Sequence, residues 1–77
     1  MVRTLEDLRR NPTHVTATEL LAVFAAHRWQ AREGTTHGTI VRKGVRTLLI
    51  PRPHGKHLLP IYVKRAIKIL EEEERER

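Results

Sequence analysis

Residues 33–51 read EGTTHGTIVRKGVRTLLIP, and this stretch decides which architecture the chain can adopt. Two runs rich in β-branched and aliphatic residues, Gly38–Arg42 and Val45–Ile50, are separated by a Lys-Gly dipeptide. Such runs favour strands, and Gly44 can supply the positive φ angle of a tight hairpin bend. Pro51 has no N–H with which to extend a ladder, so it closes the second run. The stretch therefore predicts a β-hairpin.

A further strand is predicted before this hairpin. Residues 28–32 (RWQAR) alternate between polar and apolar side chains, which is typical of a half-buried strand. A turn over Glu33–Gly38 follows, where Gly34 and Gly38 permit backbone angles that other residues resist. Trp29 is expected to pack on the preceding helix, and the alternative is that it stacks on a nucleic-acid base. The three strands would form an antiparallel meander.

Two helices are predicted ahead of the strands. Thr4 can cap a short helix with acids in its first turn, and Pro12 disfavours a helical residue before it. Thr16 and Glu19 match the capping-box pattern, and apolar residues then recur at helical spacing to about Ala26. The first helix is too short to be stable unless it docks on the rest of the chain.

A last helix is predicted from Pro60, because proline fits the first helical turn, where its missing N–H is harmless. The predicted buried face of this helix comprises Leu59, Val63, Ala66, Ile67 and Leu70. Residues 71–77 (EEEERER) carry glutamates that oppose the helix dipole at this end. We therefore expect them to fray and to form a solvated run.

These elements predict an α+β fold: a small two-layer sandwich with helices packed on one face of a three-stranded antiparallel sheet. The order α-β-β-β-α, with a short extra N-terminal helix, is similar to the double-stranded-RNA-binding type of fold. That similarity concerns topology and does not establish function. We expect a single domain over residues 1–77, with 1–15 as an N-terminal extension and 71–77 as a charged tail.

Size and composition exclude several classes of protein. With 77 residues the chain is near the lower limit for a self-sufficient core, which leaves no room for an enclosed cofactor pocket. It has no cysteine, so disulfides and thiolate metal sites are excluded and a reducing cytoplasm is the expected compartment. No apolar run approaches the roughly 20 residues of a membrane span, and the charged N-terminus does not resemble a secretory signal. His54 and His57 match no strong zinc pattern, and we expect neither a metal nor a cofactor.

Charge is distributed unevenly along the chain. It carries fifteen basic and nine acidic residues, a formal charge of +6, and five of the nine acids lie within residues 71–77. Residues 1–70 therefore hold thirteen basic and four acidic side chains, a net charge of +9. A compact body this basic attracts polyanions, of which nucleic-acid backbones are the usual example. The alternative is a merely well-solvated surface.

His37 is the candidate for chemistry. Cleavage of RNA without a metal requires a base that takes the 2′-hydroxyl proton, a cation beside the phosphate, and an acid that protonates the departing 5′-oxygen. Imidazole can serve as base or acid, because its unperturbed pKa of about 6.5 keeps both forms available. His54 or His57 could be the second proton carrier. RNA would lie on the open sheet and on the basic loop of residues 52–57 (RPHGKH), held by Arg32, Arg42, Lys43 and Lys56. The alternative is a surface histidine in a polar turn.

Four short motifs occur in order along the chain. They are Asn11-Pro12 followed by Val15 and Glu19-Leu20-Leu21, Trp29 after the second helix, Gly34-Thr35-Thr36-His37, and Gly55-Lys56 followed by Pro60-Ile61-Tyr62-Val63-Lys64-Arg65. In this order they resemble the HicA (YcfA-like) family, the toxin half of bacterial HicA/HicB toxin–antitoxin pairs. Four departures are visible: His27-Arg28 replaces a usual glycine, Thr36 stands where serine is usual, one extra residue separates Gly34 from His37, and Gly38 follows where an apolar or polar side chain is usual.

The resemblance implies a ribosome-independent endoribonuclease that cleaves mRNA, with His37 as the catalytic histidine and with Gly34 and Thr36 supporting its turn. It also implies a HicB-type antitoxin as partner. Two alternatives remain. One is a non-catalytic RNA-binding module of the same fold, and the other is a protein-interaction domain whose basic face meets an acidic antitoxin.

Overall fold

The computed structural model describes residues 4–35, 38–52 and 55–76, and it describes residues 33–35 by their backbone only. Six elements follow in chain order: α1 (Leu5–Arg10), α2 (Ala17–Ala26), β1 (Gln30–Thr35), β2 (Gly38–Lys43), β3 (Arg46–Pro51) and α3 (Pro60–Arg75). The strands form one antiparallel sheet of order β1-β2-β3. The predicted α+β sandwich with a three-stranded antiparallel sheet is confirmed.

Both predicted capping sites are formed. The hydroxyl of Thr16 accepts a hydrogen bond from the backbone N–H of Glu19 at 3.1 Å, and the Glu19 carboxylate accepts one from the N–H of Thr16 at 3.0 Å. Thr4 and Asp7 form the same reciprocal pair at the start of α1. These bonds satisfy backbone donors that have no partner inside the helix, and thus fix where each helix begins.

The core lies between the helices and one face of the sheet. Its buried side chains come from every element of the helix layer and from the inward face of the strands: Leu5, Leu8, Val15, Leu20, Val23, Phe24, Trp29, Val41, Ile50, Leu58, Val63, Ala66, Ile67 and Leu70. Trp29 is 5% exposed and meets the Phe24 ring edge-on at a centroid distance of 5.0 Å. The predicted packing of Trp29 on α2 is therefore confirmed, and base stacking by this side chain is not possible in this conformation.

The first strand begins later than predicted. Arg28 has a φ of 68° and lies one residue past the cap of α2, where its N–H donates to Ala25 and that of Trp29 donates to Phe24. This is the hydrogen-bond pattern of a Schellman motif, whose left-handed position is usually glycine. Because this motif uses residues 27–29 to end α2, the strand begins at Gln30 and continues to Thr35.

Two smaller predictions were wrong. Val45 is 97% exposed in the bend that Gly44 begins, so β3 starts one residue later than expected. Leu59, which caps α3, is 59% exposed, and Leu58 occupies the core instead. Within the predicted N-terminal extension, Leu5, Leu8 and Val15 are buried in the core.

The predicted fraying of the charged tail was also wrong, because α3 continues without interruption to Arg75. In the described part of the chain, no helix combines the length and the apolar character needed to cross a membrane.

Gly38 is predicted to be the least replaceable glycine that the structure describes. Its φ is 148°, and an added Cβ would overlap the carbonyl oxygen of Ile50 on β3. Backbone cannot move aside as a flexible side chain can, so Gly38→Ala should lower the free energy of unfolding by about 3 kcal/mol or more.

The matched control is Gly44→Ala, because Gly44 has a φ of 62° but nothing within 4 Å of an added Cβ. The free energy of unfolding of this variant should fall by only about 1 kcal/mol, which is the cost of placing an alanine in the left-handed region of backbone angles. Urea unfolding monitored by Trp29 fluorescence measures the free energy of unfolding of both variants. If both lose the same amount, the contact with Ile50 is not what makes Gly38 hard to replace.

Candidate nucleic-acid interface

The sheet presents one face to solvent, and two of the predicted RNA-binding residues lie on it. Across the strands, Gln30 pairs with Arg42 and Arg42 with Thr47. Two residues away along each strand, Arg32 pairs with Ile40, and Ile40 pairs with Leu49. Directly opposed residues share a face of an antiparallel sheet. We call this set the open face: Gln30, Arg32, Ile40, Arg42, Thr47 and Leu49.

The open face is a shallow concavity with two guanidinium groups. The concavity covers most of this face. It has a volume of about 640 Å³, and residues of all three strands line it. Arg32 and Arg42 are both exposed, and neither makes an ion pair with any described residue. The Nε of Arg42 donates to the carbonyl of Gly44 at 3.1 Å, which holds one edge of the guanidinium and leaves its terminal nitrogens for a ligand.

Lys43, also predicted to hold RNA, does not belong to this face. Successive strand residues point to opposite faces, so Lys43 points towards the helices while Arg42 points away from them. The Lys43 ammonium donates to the Glu73 carboxylate and, at 2.9 Å, to the carbonyl of His27. The Lys43 side chain is 25% exposed and that of Glu73 is 9% exposed. Lys43 therefore joins the sheet to α3.

The predicted solvated run is in fact a row of ion-pairing groups. Besides Glu73, three other glutamates of this segment have partners elsewhere in the fold: Glu71 with Arg9 at 3.0 Å, Glu74 with His27 at 3.6 Å, and Glu76 with Arg46 at 2.6 Å. The hydrogen bond from Arg46 lowers the pKa of Glu76, and the same bond raises the pKa of Arg46. The acidic end of α3 thus neutralises cations of the helix layer and of the sheet edge beside it.

The basic loop lies at the opposite end of the sheet from Lys43. Lys56 is exposed and makes no ion pair with a described residue, so its ammonium is accessible to an anion. His57 contacts the edge of the His14 ring at a centroid distance of 5.2 Å. The loop begins after Pro51, which pairs with Gly38 across β2 and β3.

Three predicted site residues, Thr36, His37 and His54, lie outside the described part of the chain, so their predicted roles stay predictions. Gly34 lies within β1, so the chain remains extended at a position where a turn was predicted. Thr35, the last residue of β1, and Gly38, the first residue of β2, are partners in the β1–β2 ladder.

Two side chains near the loop were not predicted as site residues. Arg52 and Tyr62 line one cleft together with His57, although they lie ten residues apart in sequence. Arg52 could have been found from the basic composition of its loop. Tyr62 precedes the buried Val63 on α3. Only the helical spacing of the buried residues could have indicated that Tyr62 lies at the edge of the buried face.

Comparison of the chain with protein-family profiles, with curated proteins and with solved structures found no match. Among the described residues, no group of three or more His, Asp or Glu side chains is placed to hold a metal ion.

Removal of the Lys43 ammonium is predicted to destabilise the protein. Lys43→Met leaves the Glu73 carboxylate buried without the cation that it faces, which should cost about 3 kcal/mol of unfolding free energy. The double variant Lys43→Met/Glu73→Leu should recover most of this loss, because two packed apolar side chains can replace a buried ion pair.

Arg46→Met is the matched control, since its partner Glu76 is 64% exposed and an exposed pair contributes little. Chemical denaturation of the four proteins provides the comparison. If Lys43→Met proves as stable as Arg46→Met, the ion pair is not what attaches α3 to the sheet.

Proposed function

We propose that this chain is a HicA-type toxin, a ribosome-independent endoribonuclease that binds mRNA on the open face and cleaves it with His37. It would act in the cytoplasm, and a HicB-type antitoxin would be its partner. The proposal joins the motif resemblance to one structural observation, the separation of charge between the two layers.

That separation is pronounced among the described residues. Every acidic side chain that the structure describes lies on a helix or, for Glu76, at the C-terminal cap of α3: Glu6, Asp7, Glu19, Glu71, Glu72, Glu73, Glu74 and Glu76. The charged side chains described on the open face are Arg32 and Arg42. A polyanion approaching these described side chains would therefore meet two guanidinium groups, which favours phosphate binding.

The position of Gly38 supports the assignment of chemistry to its neighbour, His37. Gly38 is the first residue of β2, and Arg42 follows four residues later on the same strand. At about 3.3 Å per strand residue, the two positions are about 13 Å apart along the strand. An RNA strand held by Arg42 could thus extend along β2 towards its N-terminal end, next to the imidazole in sequence.

The proposed reaction needs the 2′-hydroxyl of the substrate and two proton transfers. A base removes the 2′-hydroxyl proton, the 2′-oxygen attacks phosphorus, and the bond from phosphorus to the 5′-oxygen breaks as an acid protonates that oxygen. The products are a 2′,3′-cyclic phosphate and a 5′-hydroxyl. His37 would take one proton-transfer role, and His57 is a candidate for the other.

A non-catalytic RNA-binding module is the second candidate. It is favoured by the fact that the open face is formed without His37, so binding there does not require chemistry. The apolar residues Ile40 and Leu49 on the same face would suit the third possibility, a protein-interaction surface. The next two experiments distinguish the endoribonuclease, the RNA-binding module and the protein-interaction domain.

Loss of either open-face arginine should weaken RNA binding in a salt-dependent way. We expect Arg32→Gln and Arg42→Gln each to raise the Kd for a short 2′-O-methyl RNA by about tenfold. Each should also reduce the slope of log K against log salt concentration by about 0.7, the value for one phosphate contact with a single strand.

Lys68→Gln is the control for these variants, because it removes one exposed cation from the helix layer instead. Fluorescence anisotropy at several salt concentrations gives both the Kd and the slope of log K against log salt concentration. Absence of RNA binding by the unaltered protein at low salt would leave the protein-interaction function.

Replacement of His37 should abolish cleavage and preserve binding. With a plain transcript in EDTA, His37→Ala is expected to cut at least about 100-fold more slowly, the lower range for a lost general acid or base. His27→Gln is the control, since His27 is paired with Glu74 on the helix layer. Binding without cutting by both the unaltered and the His37→Ala protein would establish the non-catalytic module.

A further inference from the structure

A cleft separates the end of β3 from the start of α3. Its volume is about 300 Å³, at the lower end of the range for clefts that bind small ligands. The lining combines the apolar side chains of Pro51, Leu58 and Leu59 with the polar groups of Arg52, His57 and Tyr62. Convergence of a few polar groups on an apolar pocket is typical of a binding site.

Tyr62 gives the cleft an aromatic wall. Phe24 and Trp29 are buried in the core, whereas Tyr62 is only partly buried. An accessible aromatic ring beside apolar walls can stack on a nucleobase, and such stacking is tolerant of sequence because every base has a π-face.

Arg52 gives the cleft a cation. It is exposed, and among the described residues no carboxylate pairs with it. A free guanidinium can bind two oxygens of one phosphate, which fixes its orientation as well as its position. Tyr62 and Arg52 together offer partners for the two ends of a nucleotide.

A continuous surface connects the cleft to the open face. Pro51 and Tyr62 also line a second groove of about 300 Å³, whose other walls include Leu49 and Arg65. Leu49 belongs to the open face and is 45% exposed. A chain bound on the sheet can therefore pass over the end of β3 and enter the cleft.

The register of the sheet places this cleft near the proposed reaction. Pro51, which lines the cleft, is the ladder partner of Gly38, and Gly38 follows His37 in sequence. A nucleotide in the cleft would thus be close along the RNA to the bond that His37 would cleave.

We propose that the cleft between β3 and α3 is a nucleotide-binding subsite for the substrate RNA, with the base against Tyr62 and a phosphate on Arg52. This inference rests on the proposed function, because it assigns the cleft to the same RNA that the open face binds. The subsite would hold one nucleotide flanking the scissile phosphate.

The test measures binding of a short 2′-O-methyl RNA, in which the attacking hydroxyl is blocked, to cleft variants of the full chain. Arg52→Gln and Tyr62→Leu should each bind about tenfold more weakly, while Tyr62→Phe, which keeps the ring, should bind like the unaltered protein. Arg52→Gln should also reduce the salt slope by about 0.7. Lys68→Gln again serves as the control.

A second measurement does not depend on any variant. Amide chemical shifts of the unaltered, isotopically labelled protein should change at Gly55, Leu58 and Tyr62 when the same RNA is added. This measurement remains valid even if a Tyr62 variant folds poorly. Arg52 is exposed, so its replacement should not affect folding.

The possible failures are distinct. If the Arg32 and Arg42 variants weaken binding while Arg52→Gln does not, and the cleft amides do not shift, the subsite is refuted and the RNA-binding face stands. If the unaltered protein binds no RNA at low salt, the proposed function and the subsite are both refuted.

Discussion

The ion pair between Lys43 and Glu73 joins the hairpin end of the sheet to the C-terminal half of α3. Taken alone, α3 has unfavourable electrostatics, because cations lie in its N-terminal half and glutamates lie at its C-terminal end. The helix nonetheless continues to Arg75, since Lys43 and other cations meet those glutamates. Contacts between layers therefore stabilise a helical end that its own sequence disfavours.

This pairing also determines what the opposite face can bind. The acids of α3 are used on the helix layer and on the hairpin end of the sheet, where Lys43 and Arg46 lie. Among the described residues, Arg32 and Arg42 on the open face and Arg52 beside the cleft have no acidic partner.

Local signals in the sequence predicted the elements well, and long-range contacts account for what they missed. The capping box at Thr16 and the proline at the start of α3 each depend on neighbouring residues, and both were predicted. The sequence placed Lys43 in the hairpin bend and grouped it with Arg42 as a contact for RNA, whereas Lys43 is the last residue of β2 and its side chain points towards the helices. The partner of Lys43 lies thirty residues away, beyond the reach of any local pattern.

The fit of Gly38 against β3 has a consequence for how this chain can evolve. Every amino acid that could replace glycine carries a Cβ, and the carbonyl of Ile50 occupies the space that this atom would need. The position therefore has no neutral substitutions while the two strands keep their register. Relatives that keep this pairing of β2 with β3 should therefore keep a glycine at this position.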